Sequence, residues 1–213
     1  MNLLSAKLPP LVKSIFPKYV WEMETAEKVL YLTFDDGPTP DVTLWVLETL
    51  KLYDAKATFF CIGHNIEKHP DIFNQIVNEG HQIGNHTFNH LKGWKTDLDT
   101  YISNAVKTER EIEKHTNLSS NLFRPPYGRI KKKQGMQLID MGYHIIMWSV
   151  ISIDWDKTVS GETCLKNVTN NAKEGSIVVF HDSIKASENM KYALPRTLEY
   201  YRDLGFSFKA ISF

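Results

Sequence analysis

The chain has 213 residues, with 25 Lys plus Arg balanced by 25 Asp plus Glu, and is 42% apolar and 12% aromatic. That balance excludes steering by net charge toward nucleic acid or an anionic membrane, and the apolar content excludes a disordered segment. No uncharged apolar run approaches the roughly 20 residues of a membrane-spanning helix, and two cysteines, Cys61 and Cys164, are too few for a disulfide framework.

In chain order, the N-terminal stretch is broken by Lys7, Pro9-Pro10 and Lys13, so its apolar run is shorter than a signal-peptide core. Residues 1–27 read as an extension that packs on or precedes a single domain over 28–213. Lys28–Asp35 is apolar and β-rich, and Thr39–Tyr53 is a helix with apolar Val42, Val46, Leu47 and Leu50. Ala57–Ile62 is a strand, after which Pro70 starts a helix that Gly80 stops. Gln82–Asn85 is a short strand, Leu98–His115 a long helix, Asn121–Arg124 a strand and Lys131–Met141 a helix. Tyr143–Val150 is a buried strand, Glu162–Lys173 a helix, Ser176–His181 a strand, Met190–Leu204 a helix and Ser207–Ser212 the last strand.

Seven strands separated by helices predict an α/β fold with parallel strands and right-handed crossovers, either an open doubly wound sheet or a closed barrel. In both, chemistry gathers at the carboxyl ends of the strands. Five strand ends carry reactive residues: Asp35 and Asp36, His86 and His90, Arg124, Asp154 with Trp155, and His181 with Asp182. On parallel strands these converge on one rim.

Two histidines four apart, His86 and His90, sit on one side of a helical turn and can share a metal ion. The spacing alone is common, and Asp35-Asp36-Gly37-Pro38 alone is good turn chemistry. Together at strand ends they suggest a two-histidine, one-carboxylate site with open positions, suited to one divalent ion. Zn²⁺ is the default, with Co²⁺, Ni²⁺ and Mn²⁺ also admissible. Of two successive strand-end carboxylates, one can bind the ion while the other takes a proton from water. Arg124-Pro125-Pro126-Tyr127-Gly128 is a stiff turn able to aim Arg124 at a carboxylate and offer a backbone N–H to an oxyanion. His181 fits the remaining role of general acid, with Asp154 to orient it. Lys131-Lys132-Lys133 is a solvated helix start, and no phosphate-binding glycine loop occurs, so no nucleic-acid partner is expected.

Thr33-Phe34-Asp35-Asp36-Gly37, His86-Thr87-Phe88-Asn89-His90, Arg124-Pro125-Pro126-Tyr127-Gly128, Asp154-Trp155 and Val179-Phe180-His181-Asp182 resemble, in order, the five motifs of the polysaccharide deacetylases, the NodB-homology domain of carbohydrate esterase family 4. The resemblance runs from about Lys28 to the C-terminus and implies a distorted (β/α)7 barrel. It implies Asp35 as general base, Asp36, His86 and His90 as metal ligands, Arg124 as the partner of Asp35, and His181 as general acid paired with Asp154. The Tyr127 N–H would hold the oxyanion, and Trp155 and Val179 would line an acetyl pocket. The implied reaction is metal-dependent removal of N-acetyl groups from an amino-sugar polymer or oligomer, chitin or peptidoglycan among them. Ile151 departs from the pattern, standing where the fourth motif often has a further Asp. A non-catalytic carbohydrate-binding protein and an amidase acting on a non-sugar amide remain open alternatives. The resemblance implies a cell-envelope or extracellular setting, whereas the N-terminus shows no clear secretion signal and leaves the cytoplasm open. Oligomeric state and protein partners have no signature in the sequence.

Overall fold

The computed structural model of the protein describes residues 6, 10–116 and 120–213. Its strands are β1 (Val29–Asp35), β2 (Thr58–Cys61), β3 (Gln82–Asn85), β4 (Leu122–Phe123), β5 (His144–Ile145), β6 (Val150–Ile151), β7 (Ile177–His181) and β8 (Ser207–Phe208). They form a parallel sheet in the order β5-β4-β3-β2-β1-β7-β6, with β8 beside the start of β1. The sheet curls into the expected distorted (β/α)7 barrel. Its helices are α1 (Pro10–Ile15), α2 (Val42–Leu52), α3 (Gly63–Lys68), α4 (Pro70–Asn78), α5 (Leu98–His115), α6 (Lys132–Asp140), α7 (Gly161–Thr169) and α8 (Ser187–Asp203). No described helix is long and apolar enough to cross a membrane.

Strand alternation divides the core. Leu30, Leu32 and Phe34 of β1 and Val178 and Phe180 of β7 face outward, packing with Val46, Leu47 and Leu50 of α2 and Met190, Leu194 and Leu198 of α8. Thr33 and Asp35 turn to the inner face, where β1 lies between β2 and β7. In that register Asp35 sits level with Phe60 on one side and His181 on the other, so the polar strand ends share one rim.

Several predicted elements differ in extent. Tyr143–Val150 is two short strands, because the chain leaves the ladder between Ile145 and Val150. There the Met147 N–H donates to the Val20 carbonyl and the Ser149 N–H to Ile177, while the guanidinium of Arg124 takes the carbonyls of Ile146 and Met147. Val20, from the segment ahead of β1, thereby forms a parallel bridge to Ile146. Helix α3 was not predicted; its six residues, GHNIEK, hold a single large apolar side chain, Ile66, and show no helical period. Helix α7 stops at Thr169 rather than Lys173, with the Tyr201 hydroxyl donating to the Ala172 carbonyl just beyond its end. The last strand is cut to Ser207–Phe208, and farther on the Ile211 N–H donates to the Thr58 hydroxyl.

His81 makes a pH-sensitive joint between α4 and β3. Its Nδ1 accepts a hydrogen bond from the Ala57 N–H at 3.2 Å, its ring meets Phe59 edge-on, and burial followed by the charge of Lys56 lowers its pKa to about 4. Stability tied to neutral His81 is complete above its unfolded pKa of about 6.5 and is lost as pH falls through about 4. His81→Asn keeps an acceptor but removes the titration. Denaturation midpoints of this variant are expected to fall less steeply than wild type between pH 6.5 and 4, by up to about one proton in the linkage slope.

Candidate active site

Asp35 ends β1 pointing inward, almost wholly buried, with Arg124 Nη1 donating to its Oδ1 at 2.7 Å. Burial alone raises its pKa, but the charges of Arg124, His86 and His181, with the Arg124 hydrogen bond, outweigh this and hold it below the ordinary carboxylate value. Arg124 is 0% exposed; it also donates to Thr33 Oγ1 and lies over the Phe60 ring.

The next residue turns away. Asp36 has φ 85°, and the turn is clamped from several sides. The Asp182 N–H donates to the Asp35 carbonyl, the Gly37 N–H donates to Asp182 Oδ1, and Asn65 Nδ2 donates to the Asp36 carbonyl. A Cβ at residue 37 would stand 2.0 Å from Asp182 Oδ2, so only glycine fits this close approach. The clamp points Asp36 Oδ1 at the histidines, 3.3 Å from His90 Nε2 and 3.8 Å from His86 Nε2.

His86 and His90 do not share a helical turn, as their spacing predicted. Residues 86–90 form an irregular loop in which Thr87 and His90 both have positive φ, and this folding brings the two rings to 5.1 Å. Side chains replace the missing helical hydrogen bonds. Asn85 Oδ1 accepts from the Thr87 N–H, Asn104 Oδ1 of α5 accepts from the N–H groups of Phe88 and Asn89, and Thr87 Oγ1 accepts from the Leu91 N–H. His86 Nδ1–H donates to the Arg124 carbonyl at 2.7 Å, leaving its Nε2 lone pair toward Asp36. Burial lowers the pKa of both imidazoles, that of His90 to about 4.

One ligand atom from each of Asp36, His86 and His90 lies within 4.8 Å of the other two, and Asp36 Oδ1 is buried without a hydrogen-bond partner among the described residues. A buried carboxylate oxygen facing the Nε2 atoms of two imidazoles is a donor set able to hold a metal ion.

Across the cavity, both oxygens of the fully buried Asp154 are used by His181: the backbone N–H donates to Oδ2 and Nδ1–H to Oδ1, each at 2.8 Å. Burial alone lowers the His181 pKa, but the charge and hydrogen bond of Asp154, then the charges of Asp36 and Asp35, raise it to about 9. Trp155 meets the His181 ring edge-on at 4.8 Å. The Tyr127 ring lies 4.5 Å from that of His90, and the residue holds φ 60° in a short 3₁₀ turn. Of the seven non-glycine residues with positive φ among the described residues, five (Asp36, Thr87, His90, Tyr127 and Ile153) lie in these rim loops, a concentration of backbone strain typical of a functional site.

These groups surround a cavity of about 560 Å³, whose wall includes Asp35, Asp36, His86, His90, Tyr127, Trp155 and His181. Arg124 and Asp154 stand behind the wall and act through Asp35 and His181. Val179, expected to line the pocket, is also behind it, fully buried in a cluster with Ile151 and Ile153; its cross-strand neighbour Ile151 lines the cavity instead. Sequence reasoning missed Trp148, Ser183 and Lys185 on the wall, and the clamp formed by Asn65 and Asp182. Asp182 was visible within its motif without a role, whereas the others carried no signal in spacing.

The sequence profile of the polysaccharide deacetylases matches residues 22–146. A peptidoglycan-N-acetylglucosamine deacetylase of Bacillus cereus is 41% identical over 152 residues, 71% of this chain and 55% of that protein, so the chain spans little more than half of that relative. The crystal structure of the Bc1960 peptidoglycan N-acetylglucosamine deacetylase superposes with a TM-score of 0.89 at 33% identity, covering 96% of this chain and 95% of that one. BA3943 of Bacillus anthracis, a family 4 pseudoenzyme, superposes with a TM-score of 0.81 at 27% identity, covering 90% of this chain and 66% of its own.

The donor set predicts metal binding separable from the neighbouring carboxylate. In calorimetric titration with Zn²⁺, His86→Ala should lose binding by at least tenfold, while Asp35→Asn should bind within about threefold of wild type.

Proposed function

The chain belongs to the polysaccharide deacetylase family, and on that premise we propose that it hydrolyses the N-acetyl group of N-acetylglucosamine-type residues in a cell-wall glycan, releasing acetate. The observation that carries this reading is the pairing of two groups across one cavity, Asp35 bound by the Arg124 guanidinium and His181 bound by the Asp154 carboxylate, which favour an anionic and a protonated group respectively.

Asp36, His86 and His90 would hold a divalent ion, which when bound would supply Lewis-acid polarisation of the amide carbonyl. The chain's own residues do the rest. Asp35, anionic and locked by Arg124, takes a proton from the attacking water as its oxygen bonds to the acyl carbon. The N–H of Tyr127 lies outside the hydrogen bonds of its 3₁₀ turn, where Gly128 and Arg129 donate to the carbonyls of Pro125 and Pro126, and serves the developing oxyanion. His181, whose Nδ1–H is committed to Asp154, donates the proton on Nε2 to the sugar nitrogen as the C–N bond breaks. Acetate and a free amine result. Trp155, beside His181, and Ile151 give the acyl methyl an apolar wall.

Acetate release from N-acetylglucosamine oligomers, abolished by chelator and restored by Zn²⁺ or Co²⁺, tests the activity directly. A folded, metal-loaded protein that releases none would be left with the carbohydrate-binding reading. Asp35→Asn should lower kcat by about 10² or more while retaining metal.

The pH profile should be bell-shaped, with an alkaline limb that tracks His181 near pH 9. Asp154→Asn keeps one acceptor oxygen but removes the charge that does most to raise this pKa, and leaves the burial that lowers it. The alkaline limb should therefore move toward neutrality by more than about one pH unit; an unmoved limb in pH–rate measurements would remove His181 from the acid role.

A further inference from the structure

The cavity over the triad does not end there. A second hollow of about 410 Å³ opens beyond Asp36 and His90, and it shares Asp36, His90 and Ser183 with the first. The two make one groove crossing the triad. A single sugar occupies only part of such a groove, so a linear chain can enter on one side, react in the middle and continue on the other.

The second hollow has its own chemistry. Ile184, 78% exposed, joins Ile62 and Pro38 as apolar surface for a sugar ring. Lys68 and His69 lie beside them, at the end of α3 and just after it. Apart from Asp35 and Asp36, no carboxylate among the described residues lines either hollow. Lys68 makes no ion pair with a described residue; Glu67, next to it, lies against His64 at 3.5 Å. With zero net charge on the whole chain, the charge of Lys68 in this hollow is a local feature, with Asp36 the acidic residue at the edge shared with the triad. Helix α3 holds it in place by packing Gly63 so closely on Phe88 and Thr108 that a Cβ there would stand 2.5 Å and 2.9 Å from their side chains.

We propose that the groove seats a linear glycan with the reacting sugar over the triad and the next sugar in the second hollow, where Lys68, with His69 beside it, holds a carboxylate carried by that neighbour. The inference rests on the deacetylase reading and adds a requirement to it: the preferred substrate is acid-bearing beside the reacting unit. A neutral polymer of N-acetylglucosamine reacts without this contact.

The test measures acetate release by the Zn²⁺-loaded protein from three tetrasaccharides: alternating N-acetylglucosamine and N-acetylmuramic acid, the methyl ester of that compound, and chitotetraose. The acid form should exceed its ester in kcat/KM by about fivefold at low salt, the difference lying in KM. Lys68→Gln should remove most of this advantage and the Lys68→Gln/His69→Gln pair all of it, with the ester and chitotetraose unchanged within about twofold. Lys51→Gln, an equal loss of charge on α2 outside both hollows, should keep it. Equal turnover of acid and ester by wild type, or an advantage that survives the paired substitution or disappears in Lys51→Gln, overturns the proposal while deacetylation stands. No acetate from any of the three overturns the deacetylase reading and this proposal with it.

Discussion

The buried guanidinium of Arg124 is the contact on which the rest of the structure depends. A cation 0% exposed is tolerable only when its charge and its donors are met, and here they are. Asp35 supplies the opposite charge, Thr33 a hydroxyl, and Ile146 and Met147 the carbonyls left over where the ladder breaks between β5 and β6. The Arg124 Cζ lies over the Phe60 ring, 4.1 Å from the centroid. Removing one member of such a pair strands the other, which typically costs about 3–5 kcal/mol. One side chain therefore bridges the break in the ladder between β5 and β6 and favours the anionic form of the residue best placed to act as base. Its backbone carbonyl also receives His86 Nδ1–H, so the orientation of a candidate metal ligand depends on the same residue.

From that anchor the rim separates groups of the same type into different states. Asp35 faces inward to an arginine, whereas Asp36, turned by a positive φ, faces two imidazoles with one oxygen unpartnered. Among the imidazoles, burial keeps His86 and His90 neutral and able to offer lone pairs, while Asp154 keeps His181 charged. Neighbouring groups pushed apart in protonation are what acid–base chemistry on a neutral amide requires. The strained loops that set these directions are held by buried polar contacts from Asp182 and Asn85 and part-buried ones from Asn65 and Asn104. The strain is borne by the scaffold and leaves the site preorganised.

Much of this was legible in the sequence. Apolar strands followed by helices dictate parallel pairing, and parallel pairing brings every strand's carboxyl end to one rim whatever the side-chain packing. Asp35, Asp36, His86, His90, Arg124, Asp154 and His181 could thus be gathered from seven scattered positions. The elements that resisted were those whose shape is set from elsewhere in the chain. The break in Tyr143–Val150 depends on Arg124 and Val20, α3 on packing against Phe88 and Thr108, and the His86–His90 loop on Asn104 of α5.

By itself the sequence determined which residues stand at the strand ends and what chemistry they carry, because strand period and topology are local or combinatorial properties. Tertiary structure alone decided that Val179 lies behind Ile151, that Asp36 turns its oxygen to the histidines, and that a second hollow continues past the triad to Lys68. These depend on cross-strand register, on left-handed backbone turns held by distant side chains, and on how loops from different strands meet. Such relations link residues far apart in the chain, as Arg124 and Asp35 are, 89 positions from each other, and no pattern of neighbours encodes them.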